Sequence, residues 1–217
     1  GLPWHIYMPI INWQHHSVMF EIAWCVLLYF SVLILEFGPV ILEHPWFGKP
    51  VFQKLYHFLK AATIPLVILG IVLSTLHQSS LGSLFLIMPH RVHPLWYSAW
   101  IPVMFFLTAI AAGMLALIVE GFIAKSLFGR GFHGELYQRL GKMAGIVLLL
   151  YLGLRLGDLT LRGVLPQAID GSWQSILFLG EIVLGGLTPA ILLLTPEIRS
   201  KPAGLLSAAL LGAGGVV

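Results

Sequence analysis

The stretch Leu76-His77-Gln78-Ser79-Ser80-Leu81-Gly82-Ser83 sets an imidazole, an amide and three hydroxyls directly after an apolar run. The chain continues through Leu84-Phe85-Leu86-Ile87-Met88, too short to span a bilayer and expected to be re-entrant or interfacial, into His90-Arg91-Val92-His93-Pro94. Polar groups at membrane depth persist only where protein or a water-filled cavity satisfies them. This set matches the needs of a quinone headgroup, whose two carbonyl oxygens each take a donor and whose reduction takes two protons. An imidazole with a pKa of about 6.5 can donate a hydrogen bond and exchange a proton. His77, Ser79 and Ser80 are therefore candidate headgroup donors, with Arg91 and His93 at the pocket mouth or at a docking face. The plainer reading is a capped helix end followed by an interfacial loop.

Four carboxyls fall within apolar runs, where an ionisable group costs roughly 2.5–3.5 kcal/mol on insertion scales. Glu21 and Glu36 share the first run, ~22 Å apart along a helix and within about 60° of one face. Glu120 lies near the end of the third run and Glu181 lies inside the fifth. Burial keeps such carboxyls protonated near neutral pH and able to pass a proton on, so Glu21, Glu36 and Glu120 are candidate proton stations. The alternative is a neutral interhelical hydrogen bond or, for Glu120, pairing with Lys125. Arg155 and Asp158 stand i, i+3 and are expected to compensate one another on one helix face.

A bis-histidine haem needs two imidazoles at one depth, usually on neighbouring helices. The nine histidines fall at run ends and in loops: His5, His15, His16, His77, His90 and His93 at one side, His44, His57 and His133 at the other. No haem is expected on that distribution. No metal site is expected either, since adjacent His15 and His16 point to different sides of a helix. The single cysteine, Cys25, cannot form an internal disulfide or hold a cluster.

The elements that position these residues are membrane spans. Hydrophobic residues make up 58% of the 217 residues and charged residues 10%, with a mean hydropathy of +0.92, too little charge to cover a soluble domain. Nothing in the net charge of +3 suggests a nucleic-acid face. Apolar runs predict an all-α, polytopic transmembrane bundle of five full spans: 17–42, 54–76 with a kink at Pro65, 97–124, 140–164 and 172–195. A sixth begins near Ala203 and is truncated. No internal repeat or linker divides the chain, so residues 1–217 read as a single membrane domain. Residues 1–14 lack the basic start and cleavage site of a signal peptide, and both ends read as cut from a longer subunit.

The loops sort by charge. Lys49, Lys54, Lys60, Lys125, Arg130, Arg139, Lys142, Arg199 and Lys201 fall on one side of the spans, and Arg91, Arg155 and Arg162 on the other. The positive-inside rule makes the first side cytoplasmic. The N-terminal end and the loop 77–94 then face the periplasm of a bacterial inner membrane. Trp4, Tyr7, Trp13, Trp96, Tyr97, Trp100 and Trp173 gather on that outer side as an interfacial belt.

The run Ser74-Thr75-Leu76-His77-Gln78-Ser79-Ser80-Leu81-Gly82-Ser83-Leu84, with Val92-His93-Pro94-Leu95-Trp96 beyond it, resembles the NrfD/PsrC (polysulfide reductase) family of membrane subunits. Within the family it is most similar to the HybB-like membrane subunit of nickel–iron hydrogenases. Ser17-Val18-Met19-Phe20-Glu21, Leu35-Glu36-Phe37-Gly38-Pro39 and Val119-Glu120-Gly121 extend the resemblance up to about Glu120. The resemblance implies a fragment of a subunit of about eight to ten spans, without a redox cofactor of its own. Such a subunit passes electrons between membrane quinone, menaquinone above all, and an iron–sulfur subunit docked outside with a catalytic subunit such as a nickel–iron hydrogenase. It also implies proton conduction, in line with Glu21, Glu36 and Glu120. A transporter or channel would be expected to show inverted repeats with paired broken helices. A passive anchor would tolerate loss of every embedded carboxyl.

Overall fold

The computed structural model describes residues 7–14, 16–129 and 134–216, without the side chains of Pro9, Ile10, Phe47 and Val216. Trp4, His5, His15, Arg130 and His133 lie outside the described residues. The described residues form helices and turns and no strand. Five helical segments are long and apolar enough to cross a membrane, so the chain is a polytopic helical membrane protein. By chain contacts it divides into two compact units, Gly1–Leu84 and Phe85–Val217.

The first unit opens with a single turn, α1 (Met8–Ile11), followed by α2 (Val18–Leu42), α3 (Pro50–Ala61) and most of α4 (Thr63–Leu86). Gly38 lets α3 fold back on α2, because a Cβ there would come within 2.7 Å of Leu59. Tyr56 ties the two together by donating to Glu43 Oε1 at 3.0 Å. Helix α3 exposes Val51, Leu55 and Phe58 along one stripe and carries Lys54 and Lys60, the pattern of a helix lying in the membrane interface.

The second expected span is therefore two helices, parted at Ala62. Pro65 has no N–H for the carbonyl of Ala61 and its ring crowds that carbonyl, so the predicted kink becomes the division between α3 and α4. The expected loop from His77 is corrected more sharply. Helix α4 continues through Leu86, and residues 77–86 are helical. Two hydroxyls of α4, one just before this stretch and one within it, bond back to carbonyls one turn earlier, Thr75 to Ile71 at 2.8 Å and Ser83 to Ser79 at 3.0 Å. That satisfies them without leaving the helix. The first residue that cannot continue the pattern is Pro89.

The second unit holds α5 (Ile101–Phe128), α6 (Gly134–Leu161), α7 (Trp173–Gly180), α8 (Thr188–Leu194), α9 (Pro196–Arg199) and α10 (Pro202–Val216). A π-helical segment, Glu181–Leu187, joins α7 to α8, so 173–194 forms one span. Its cause is local. Pro189 cannot donate to Gly185, while the N–H of Thr188 reaches back to Val183 and its hydroxyl donates to the same carbonyl at 2.7 Å. Helices α5, α6, α8 and α10 enclose a core of small and branched residues including Ala111, Leu115, Ala144, Leu148, Ala190 and Ala208. At Gly185 and Gly215 the backbones meet so closely that a Cβ on either would overlap the other, a small-residue contact of the kind that replaces hydrophobic drive inside a bilayer.

The expected Arg155–Asp158 pair does not form. Asp158 accepts from Arg162 Nε at 2.7 Å, four residues on and just past the end of α6. Arg155 is buried instead, 4% exposed, and turns toward Trp96 and Phe178.

Candidate functional site

Two points fix α2 and α4 as antiparallel neighbours. The Val32 side chain lies 3.6 Å from where a Gly70 Cβ would sit. Toward the other end, Ser80 Oγ donates to Glu21 Oε1 at 3.2 Å. Between the two points lies ~15 Å of each helix.

One turn from the Glu21–Ser80 bond, toward the middle of each span, stand Trp24 on α2 and His77 on α4. Because the helices run opposite ways, i+3 from Glu21 and i−3 from Ser80 fall at one level. Trp24 Nε1 and His77 Nδ1 are both buried, and neither has a hydrogen-bond partner among the described residues. An indole nitrogen can only donate, and an imidazole nitrogen donates or accepts according to tautomer. Each such orphan costs about 1–3 kcal/mol. The level therefore offers two unpaired ring nitrogens beside a carboxyl–hydroxyl pair. An acceptor oxygen placed there would relieve the indole, and the imidazole beside it could donate a second bond.

The other expected residues are placed as follows. Ser79 is half-buried and its carbonyl accepts from Ser83, leaving its hydroxyl outside the Glu21–Ser80 bond. Glu36 and Glu120 are exposed on α2 and α5. Arg91 and His93 belong to the second unit. Arg91 is exposed, whereas His93 shapes a turn: its Nδ1 accepts from Leu95 N at 3.3 Å and its ring packs edge-on to Trp96 at 5.9 Å.

A separate polar network lies within the second unit. Trp96 Nε1 donates to Glu181 Oε2 at 2.7 Å, and Arg155 donates to the Trp96 carbonyl at 3.3 Å. Arg155 also reaches Met104 Sδ at 3.4 Å, and its guanidinium lies 5.6 Å from the centre of the Phe178 ring. Trp96, expected in the interfacial belt, is instead the partner of an embedded carboxyl. Glu181 opens the π-helical segment. Trp173 and Trp100 do stand exposed as a belt would have them.

Sequence reasoning missed Trp24. Its signal was present: an indole on the face of Glu21, one turn along, inside a span rather than at its boundary.

The family described as polysulphide reductase, NrfD, matches residues 1–217. Among curated relatives, a protein of Nitratidesulfovibrio vulgaris is 34% identical over all of this chain and 56% of its own length. The probable Ni/Fe-hydrogenase 2 b-type cytochrome subunit of Escherichia coli is 33% identical over 95% of this chain and 52% of its own. The integral membrane subunit of menaquinone reductase from Nitratidesulfovibrio vulgaris is 29% identical over 93% of this chain and 52% of its own. The chain thus spans about half the length of these relatives. No solved structure matches it significantly.

One expectation falls here. A chain without haem was expected, yet a relative carries the name of a b-type cytochrome subunit, a haem protein by that name. The argument against haem rested on histidines confined to loops and run ends. His77 breaks that premise, since it lies well inside the apolar span Thr63–Leu86.

Proposed function

This chain belongs to the polysulphide reductase NrfD family, and from that premise we propose that it forms part of the membrane subunit of a respiratory oxidoreductase and exchanges electrons with membrane quinone. Menaquinone is the quinone we assign, following the name of the menaquinone reductase relative. The electron donor or acceptor is an iron–sulfur subunit docked with its catalytic subunit on the less cationic, periplasmic side. The chain is not a catalyst by itself.

The observation that carries the reading is the pair of orphaned ring nitrogens beside Glu21 and Ser80. Trp24 Nε1–H and His77 donate to the carbonyl oxygens of the quinone ring and hold it in place. Two electrons arrive from the partner subunit and two protons from the chain. The imidazolium of His77 delivers one proton; for the other, Ser80 gives its hydroxyl proton to the quinone oxygen and takes the proton of a protonated Glu21, which the chain then reprotonates. Glu36, ~22 Å further along α2, and Glu120 serve proton supply from the far side. Arg91 and His93 belong to the other compact unit and are assigned to docking the partner.

Haem enters through the relative's cytochrome name. When bound, a b-type haem supplies one-electron exchange, and among the described residues His77 is the imidazole that a span carries. Iron would occupy one ring nitrogen and leave the other N–H as a donor, so ligation would compete with proton delivery by that ring.

The test is quinone-linked turnover of the assembled complex with variants of this pair. Trp24→Phe removes one donor and keeps the ring, so KM for quinone rises about 3–10-fold with kcat retained. His77→Ala removes a proton donor and lowers kcat by about 100-fold or more with assembly unchanged. Normal turnover in His77→Ala defeats the assignment. Loss of a haem absorption band in the same variant gives the imidazole to iron instead.

A further inference from the structure

At the cationic end of the second unit, three positive side chains from two distant segments share one cavity. Glu135, Gln138, Arg139 and Lys142 of α6 and Arg199 of α9 line a space of about 280 Å³. Three cations meet one carboxylate there. Arg139 and Lys142 have no carboxylate in ion-pair range, since the ion pair among the described residues is Arg162–Asp158. Glu135 stands one turn from Arg139 without closing on it.

Arg199 is held in place rather than free in solvent. Its stem crosses α6 at Gly141, 3.7 Å from where a Cβ would sit. Its Nη1 donates to the Leu193 carbonyl at 2.8 Å, at the end of α8. This bond satisfies an open helix end and leaves the rest of the guanidinium for another anion.

The surface beside the cavity says what kind of anion. Arg139 stands at the head of a stripe on α6 that continues through Met143, Ile146 and Leu150 at helical spacing. All three apolar residues are exposed, within a segment long and apolar enough to cross the membrane. Cations above an apolar lane suit a molecule with a phosphate at one end and acyl chains at the other. Basic pockets between spans on the cytoplasmic side are known to hold anionic headgroups in this manner.

We propose that Arg139, Lys142 and Arg199 form a binding site for the phosphate of an anionic phospholipid, whose acyl chain lies along Met143, Ile146 and Leu150. The site is independent of the quinone reading, whose ring-holding residues Trp24 and His77 lie in the other compact unit.

The test places the full chain in detergent with equal phosphatidylglycerol and phosphatidylcholine, and counts retained lipids by native mass spectrometry. Each cation near an anionic phosphate contributes on the order of fivefold, so Arg139 and Lys142 together favour phosphatidylglycerol by about 25-fold. R139Q/K142Q removes that preference, and the charge-preserving R139K/K142R retains most of it. Should R139Q/K142Q fail to fold, the wild type is titrated with salt, and selective release of phosphatidylglycerol is the expected result. Equal retention of the two lipids, or a preference that R139Q/K142Q and salt leave untouched, overturns the site. So does full displacement by millimolar inorganic phosphate or glycerol phosphate, which would show recognition of free phosphate without the acyl lane. Saturation by an acidic peptide in place of lipid would equally overturn it.

Discussion

At single atoms the two polar clusters differ in how their indoles are used. Among the described residues Trp24 Nε1 and His77 Nδ1 are buried without partners, as are Arg155 Nε and Arg162 Nη2 in the second unit, whereas Trp96 Nε1 is spent on Glu181 at 2.7 Å. A buried donor without a partner calls for an explanation, while the Trp96 bond acts as a structural lock. Trp96→Phe should therefore act on stability: it strands the Glu181 carboxyl inside the bundle and costs about 1.5–3 kcal/mol, the worth of a hydrogen bond to a charged group. Thermal unfolding in detergent measures this, and Trp96→Phe combined with Glu181→Leu should recover most of the loss. No recovery in the double variant would show that the bond is not what ties the turn at Trp96 to the span carrying Glu181. Residue types alone could suggest His77 and Ser80, because an imidazole and a hydroxyl after an apolar run are conspicuous. They could not separate Trp24 from the belt, since an indole looks the same whether its nitrogen meets headgroup water or is buried without a partner.

At the scale of elements, the apolar runs were legible because lipid imposes one requirement on all of them: about 20 apolar residues per crossing. Helix α2 lies where its run predicts. The failures arise where local chemistry competes with hydropathy. Ser79, Ser80 and Ser83 read as a loop by polarity, yet a hydroxyl can satisfy itself on the preceding turn and leave the helix intact. Pro65 reads in sequence as a kink within one span and instead follows the division between α3 and α4; whether a proline bends one helix or divides two depends on the packing of the flanking segments. The π-helical segment left no trace beyond Pro189 and the glycines, because its geometry comes from a carbonyl register, not from composition. Its contact with α10 gives a prediction. Gly185→Leu places a side chain where the Gly215 backbone lies, and overpacking of this kind typically costs about 1–3 kcal/mol or more. Proteolysis or thermal unfolding should show α10 released in that variant, while Gly153→Leu, where a Cβ meets open space, should be tolerated.

For the molecule as a whole, the membrane reading follows from composition and agrees with five span-length apolar segments. Orientation rests on charge distribution. If the positive-inside rule governs this chain, a cysteine placed at Arg91 on a Cys25→Ser background is labelled by an impermeant maleimide from outside intact cells, and one at Lys142 only after lysis. The reverse pattern would put the proposed partner face in the cytoplasm. The family could be seen in the string from Ser74 to Leu84, whereas the cofactor question could not be closed by the histidine positions, because the helical extent of α4 was itself misjudged. An error about one loop thus passed into an error about haem.

The central claim is that α2 and α4 hold a quinone ring at the level of Trp24 and His77, and photo-crosslinking tests it most directly. A photoreactive menaquinone analogue is added to the complex in its native membrane, illuminated and mapped by peptide mass spectrometry. The account predicts adducts within 18–27 and 74–83, competed away by unmodified menaquinone and weakened by Trp24→Phe. Competed adducts confined to the second unit, around Trp96, Arg155 and Glu181, would contradict it.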